Sequence, residues 1–233
     1  MNPYTSPNYD VIAEQPLETR STFIRKTYMH LAGAIAAFAF LEMLMQSMGL
    51  GVAALEIIGT SRFAWLIVIG GFMFVSWMAN KWAMSSTSQT TQYLGLGIYV
   101  IAEAVIFLPL IAIAKAMDPN AIGQAAIVTI ALVLGITTLA FTLKKDFSFL
   151  GGILRLGGFI AIGLVVASFF LPISLGFWFS AVMVLFAGGC ILYDTSNIMY
   201  HYRPDQYVAA SLSLFASVAL MFWYILRIFL NRD

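Results

Sequence analysis

Seven stretches of roughly 20 mostly apolar residues fill this chain with only short polar breaks between them, and each is long enough to cross a bilayer as a helix. No water reaches the hydrocarbon core, so backbone N–H and C=O groups there must pair within the segment, which selects helices over open strands. The stretches fall at about 27–49, 60–80, 92–113, 121–143, 151–171, 175–199 and 207–230. Asp118-Pro119-Asn120, Lys144-Lys145-Asp146, Pro172 and the run from His201 to Asp205 separate the later ones, and Pro109 is expected to kink the third. The expected fold is an all-α integral membrane protein: a polar N-terminal tail (1–26) followed by a seven-transmembrane-helix bundle (27–230).

Composition sharpens what this excludes. Of the 233 residues, 61% are hydrophobic and 10% charged, so the spans leave no length for a soluble catalytic domain. A net charge of +1 gives no polybasic face, and no nucleic-acid partner is expected. The single Cys190 permits no intrachain disulfide and no Cys-rich metal site, and reads as a small packing residue. The tail, with Pro3, Pro7 and Pro16, lacks the basic run, short apolar core and cleavage site of a signal peptide. Zinc-ligand spacing, a phosphate loop and a G-x-S-x-G elbow are missing, so neither a cofactor nor an enzyme is expected. Tyr193-Asp194 resembles half of an intramembrane aspartyl protease, but the second Gly-x-Gly-Asp that would share its proton is absent.

Loop charges set an expected orientation. With the N-terminus inside, the inner side receives Arg20, Arg25, Lys26, Lys81, Lys144, Lys145, Arg155 and Arg203, and the outer side only Arg62, Lys115, Arg227 and Arg232. The N-terminus is therefore expected in the cytoplasm and the C-terminus outside, a re-entrant seventh segment being the alternative. That segment carries Ser211, Ser213, Ser217, Tyr224 and Arg227, which a lipid-facing helix has no use for, so the other helices should surround it. Gly151, Gly152, Gly157, Gly158 and Gly163 in the fifth span, and Gly188-Gly189 in the sixth, fit either close helix packing or a hinge.

Ionisable residues inside a bilayer mark candidate function. Asp194 lies near the inner end of the sixth span, and Cys190, Asp194 and Asn197 share its helical face, with Ala187 one turn further in. Removal from water penalises an ionised carboxylate, which makes Asp194 a candidate proton-sensitive latch or ion site. Glu103, central in the third span, is the deepest acid, and Glu42 sits toward the outer end of the first. Arg227 is placed either to pair with one of these glutamates or to snorkel. His30 reads as structural, and His201 and Arg203 as solvated loop residues. Asp194, Asn197, Ser213, Ser217 and Glu103 together offer the oxygen ligands that a hard cation such as Ca²⁺ prefers.

Three segments carry a family resemblance. Leu143-Lys144-Lys145-Asp146-Phe147-Ser148-Phe149-Leu150, Ile191-Leu192-Tyr193-Asp194-Thr195-Ser196-Asn197-Ile198 and Ala209-Ala210-Ser211-Leu212-Ser213-Leu214-Phe215 resemble signature segments of the Bax inhibitor-1 family. Arg25-Lys26-Thr27-Tyr28-Met29-His30-Leu31 is similar to its bacterial branch. The resemblance implies a bundle with the last helix central and a pH-sensitive Ca²⁺ leak, in a bacterial inner membrane. In leak members two aspartates on the last two helices share a proton. The first maps to Asp194 and the second to Ser217, while a latching basic residue falls at Ala79, with Lys81 as a possible substitute. The resemblance also implies a rival function, restraint of a membrane-anchored ATP-dependent protease through the tail that includes Tyr9, Asp10, Glu14, Glu18 and Arg20.

Overall fold

The computed structural model describes residues 11–61, 63–85, 88–172 and 174–231; Tyr9, Asp10, Arg62 and Arg232 lie outside them. Among the described residues there are eight α-helices: α1 (Leu17–Ser47), α2 (Leu50–Gly59), α3 (Ala64–Ala83), α4 (Gln89–Met117), α5 (Ala121–Leu143), α6 (Leu150–Ala167), α7 (Phe177–Tyr200) and α8 (Tyr207–Leu230). All but α2 are long and apolar enough to cross a membrane, which gives the seven-span, all-α architecture.

The first span differs from expectation at both ends. Helix α1 starts at Leu17 rather than near residue 27, and a 3-10 turn at Ile12–Glu14 precedes it. Ile12 is fully buried, and its N–H donates to the Tyr202 carbonyl at 2.8 Å. Phe23, Thr27, Leu31 and Ala34 form the buried stripe of α1, at the spacing of one helical face. At the other end Gly49 adopts φ 78°, a left-handed turn that favours glycine, and this splits the short helix α2 from α1.

Close approach explains how α3 and α4 pair. A Cβ on Gly95 would sit 2.6 Å from the Ala79 carbonyl oxygen and 2.7 Å from the Ala83 nitrogen, so only glycine lets these backbones meet. Helix α4 runs on through Pro109, whose missing N–H leaves one rung of the helix unmade.

Helix α8 is the centre. It packs against α1, α3, α4, α5 and α7, and Val208, Ala210, Leu212, Leu214, Phe215, Met221 and Leu226 are buried along it. Phe38 and Tyr99 meet the Phe215 ring edge-on from α1 and α4. By contrast α6 touches mainly α7, where Gly157 lies against the Phe186 ring and Gly151 against Tyr193. Those two glycines serve packing.

Candidate functional site

Asp194 is 4% exposed, deep between α7 and α8. Ser213 and Ser217 stand one turn apart on α8, so their hydroxyls share a face. Ser213 Oγ donates to Oδ1 of Asp194 at 2.7 Å and Ser217 Oγ to Oδ2 at 2.5 Å. Each carboxylate oxygen thus holds one hydroxyl. An ionised carboxylate only accepts; once protonated, it gains one O–H donor and keeps its remaining acceptor capacity. Both hydroxyls come from α8, so the hydrogen bonds of Asp194 are part of the α7–α8 contact.

Other hydroxyls gather beside this clamp. Tyr28 of α1 lies next to Thr137 of α5 and Thr195 of α7, within the field of Asp194. The oxygens of all three are buried and make no direct hydrogen bond of good geometry. Tyr202, in the α7–α8 connection, closes one end of the clamp: it stands next to Ser213 and packs on Phe23, and burial pushes its phenol up. Cys190 is half-buried within the same field.

Glu103 is 6% exposed but seated separately, on α4. Tyr99, one turn before it, stands beside Glu103 and Ser76 and within the field of Asp194, so this phenol is the group between the two acids. Asn197 does not join the clamp: it is half-buried, and its carbonyl accepts the N–H groups of His201 and Tyr202, closing the end of α7.

Several sequence expectations need correction. Lys81 is exposed, whereas Asp194 is buried, and its Nζ stands 5.3 Å from the centre of the Trp77 ring. Arg227 neither pairs with a glutamate nor merely snorkels; its Nη2 donates to the Leu175 carbonyl at 2.8 Å and ties α8 to the start of α7. Glu42, though near the end of its helix, is buried at 6% exposure because α4 covers it, and Gln46 bridges its Oε2 (3.4 Å) to the Leu108 carbonyl (2.9 Å).

His201 and Arg203 also have partners. His201 Nε2 lies 2.9 Å from Asp146 Oδ2, and Arg203 is paired with Asp205 at 3.2 Å. Asp146 also accepts the Ser148 N–H at 2.8 Å and the Ser196 hydroxyl at 3.3 Å, and Ser196 accepts the Phe147 N–H. The bond from Ser148 is the main reason the Asp146 carboxyl titrates below its ordinary range, with His201 adding to it. The signature loop before α6 is in this way fastened to α7 two residues beyond Asp194.

Tyr28, Thr137 and Thr195 went unassigned from sequence. Tyr28 and Thr195 sit inside segments that carry the family resemblance, which was the available signal. Thr137 reaches the site only because α5 packs on α7 and α8.

A seven-span bundle whose central helix shares one buried carboxylate with its neighbour α7 is a polytopic membrane protein organised around an intramembrane acid. The family described as inhibitor of apoptosis-promoting Bax1 matches residues 20–233. An uncharacterized protein of Pseudomonas aeruginosa is 31% identical over 212 residues, covering 90% of this chain and 89% of the relative. The Bax inhibitor 1 of Schizosaccharomyces pombe is 25% identical over 226 residues, 95% of this chain and 80% of its own length. The modulator of FtsH protease YccA of Escherichia coli K12 is 39% identical over 115 residues, which is 45% of this chain and 52% of that protein. The chain belongs to the Bax inhibitor-1 family, bacterial homologues included, and that family is non-catalytic.

Proposed function

We propose that this protein is a membrane-embedded regulator of a membrane-anchored ATP-dependent protease in a bacterial inner membrane. The observation carrying this reading is the 39% identity over 115 residues to a protein named as a modulator of such a protease, a match spanning about half of each chain. The loop charges favour a cytoplasmic N-terminus and an outer C-terminus. Residues 1–26 then form the cytoplasmic segment that meets the protease. Because Ile12 is docked under Tyr202 and α1 starts at Leu17, the informative truncation removes residues 1–10 and spares both. The test is degradation of a membrane substrate by the purified protease in liposomes, with and without this protein. A slowed rate that truncation restores supports the reading; an unchanged rate with the full chain overturns it.

A second reading is favoured by the clamp itself: a leak for Ca²⁺ or another cation, gated by protonation around Asp194. Asp194, Ser213, Ser217, Tyr28, Thr137 and Thr195 make an all-oxygen cluster between α1, α5, α7 and α8, the chemistry hard cations prefer. With Ser217 in place of a second acid, the gate is the single carboxylate of Asp194, and Tyr99 stands between it and Glu103. Ca²⁺ entry into liposomes between about pH 6 and pH 8, where a carboxylate removed from water titrates, is the measurement. Flux that Asp194→Asn flattens supports the leak; flux no greater than in empty liposomes rejects it.

A further inference from the structure

Helix α1 packs on α4 and α8, and α5 packs on α7 and α8, which leaves a groove of about 370 Å³ between α1 and α5. Phe215, Val218, Ala219 and Phe222 of α8 lie along it, and exposed Met43 and Ile130 mark the side that opens toward lipid. On α1 it runs from Ile35 to Gln46, about 16 Å at the helical rise. The groove is almost wholly apolar except at one end, where Glu42 and Gln46 face Lys115 near the C-terminal ends of α1 and α4.

That polar end is incomplete. Glu42 is 6% exposed, and its Oε1 has no hydrogen-bond partner, because Gln46 reaches only Oε2. Lys115 lies within the field of Glu42, yet no ion pair joins them among the described residues. A buried carboxylate oxygen without a donor is costly, so a donor group is the natural complement.

The geometry points to this groove as a binding site for one membrane phospholipid whose head group carries a primary ammonium and a phosphate: the acyl chain lies between α1 and α5, the ammonium donates to Glu42 Oε1, and the phosphate meets Lys115. A fatty acid would satisfy Lys115 but set a second carboxylate against Glu42. A trimethylammonium head has the charge but no N–H to donate. A bare cation has no use for three helical turns of apolar wall. The bilayer supplies the phospholipid, because α1 and α4 are both long and apolar enough to span it, Glu42 and Lys115 lie toward the ends of those helices, and exposed Met43 and Ile130 flank the opening.

The experiment is native mass spectrometry of the purified full chain in detergent, with phosphatidylethanolamine, phosphatidylcholine and phosphatidylglycerol of identical acyl chains. Ethanolamine and choline lipids differ only in the three substituents on the ammonium nitrogen, N–H in one and the bulkier N-methyl in the other. Wild type should retain phosphatidylethanolamine about tenfold more than phosphatidylcholine, the scale of one hydrogen bond to a charged group. Isosteric Glu42→Gln should bring that ratio to about one, and Ala126→Phe, which fills the groove, should lower retention of all three. Elution profile and melting temperature check that each variant is folded, and the Glu42→Gln ratio decides the matter if Ala126→Phe is not. Equal retention of the two lipids by wild type, an undiminished preference in Glu42→Gln, or full retention by folded Ala126→Phe would overturn the assignment.

Discussion

Helices α6 and α8 have nearly the same apolar character, α6 slightly the greater, yet they occupy opposite places. Helix α8 is buried on almost every side, while α6 presents Ile153, Leu156, Phe159 and Ile160 outward. In a bilayer, lipid satisfies an apolar side chain as well as protein does, so hydropathy does not decide which helix goes inside. Polar groups and shape decide it. Ser213 and Ser217 find Asp194 only from the centre of the bundle, and the small Ala209, Ala210 and Ala219 let neighbours approach α8 from several directions.

The contrast is most exposed to test at the aromatic residues. Phe215→Ala should cost about 3–5 kcal/mol, because it removes a ring packed by Phe38 and Tyr99. The matched Phe159→Ala on α6, where the ring is 76% exposed, should stay within about 0.5 kcal/mol. Reversible unfolding in mixed micelles measures both, and similar losses would break the comparison. Next in size is the clamp. Asp194→Ala takes the acceptor from two hydroxyls and should cost about 1–3 kcal/mol, whereas Asp194→Asn keeps an acceptor and should cost less. An Asn variant as unstable as the Ala variant would mean that the serines do not need an acceptor there.

The loop between α5 and α6 adds a pH dependence. Because the carboxyl of Asp146 is held below its ordinary value of 3.8, its ties to Ser148, Ser196 and His201 are made above that value and lost as pH falls through the lowered one. Protection of the Phe147 and Ser148 amides, relative to an unstructured chain at the same pH, should therefore hold at neutral and mildly acidic pH and fall only below 3.8; Asp146→Asn should remove it at the higher pH values and change little once the wild-type carboxyl is protonated. Rapid exchange already at pH 5 would contradict the tie. The smallest effect belongs to Lys81, whose loss should cost no more than about 0.5–1 kcal/mol, the worth of an exposed cation–π contact.

Much of this was readable before any coordinates. The boundaries 121–143 and 207–230 coincide with α5 and α8 because polar residues flank them on both sides. Asp194 announced itself by lying in an apolar stretch, Ser213 and Ser217 as hydroxyls that a lipid-facing helix has no use for, and Ser217 also by mapping to the second aspartate of the family. Hydropathy could not locate the start of α1, since its first turns lie in the polar stretch that carries Glu18, Arg20 and Arg25, where apolar content stops reporting helix. Nor could it separate α2, which is as apolar as a span but only 10 residues long. Burial of Glu42 and the meeting of Tyr28 with Thr137 depend on which helices become neighbours, and no local pattern encodes that.

The position of α8 also bears on how the protein is made. Translation delivers α1 to α7 first, so the element that every inner surface of the bundle needs is the last of the eight to leave the ribosome. Until it inserts, Asp194 has no serine to hold, and the Tyr202 carbonyl that receives Ile12 is itself made only just before α8. Assembly is therefore completed late: α3 and α4 can pair as soon as both have inserted, but only α8 draws the earliest and latest parts of the chain together at one end of the bundle.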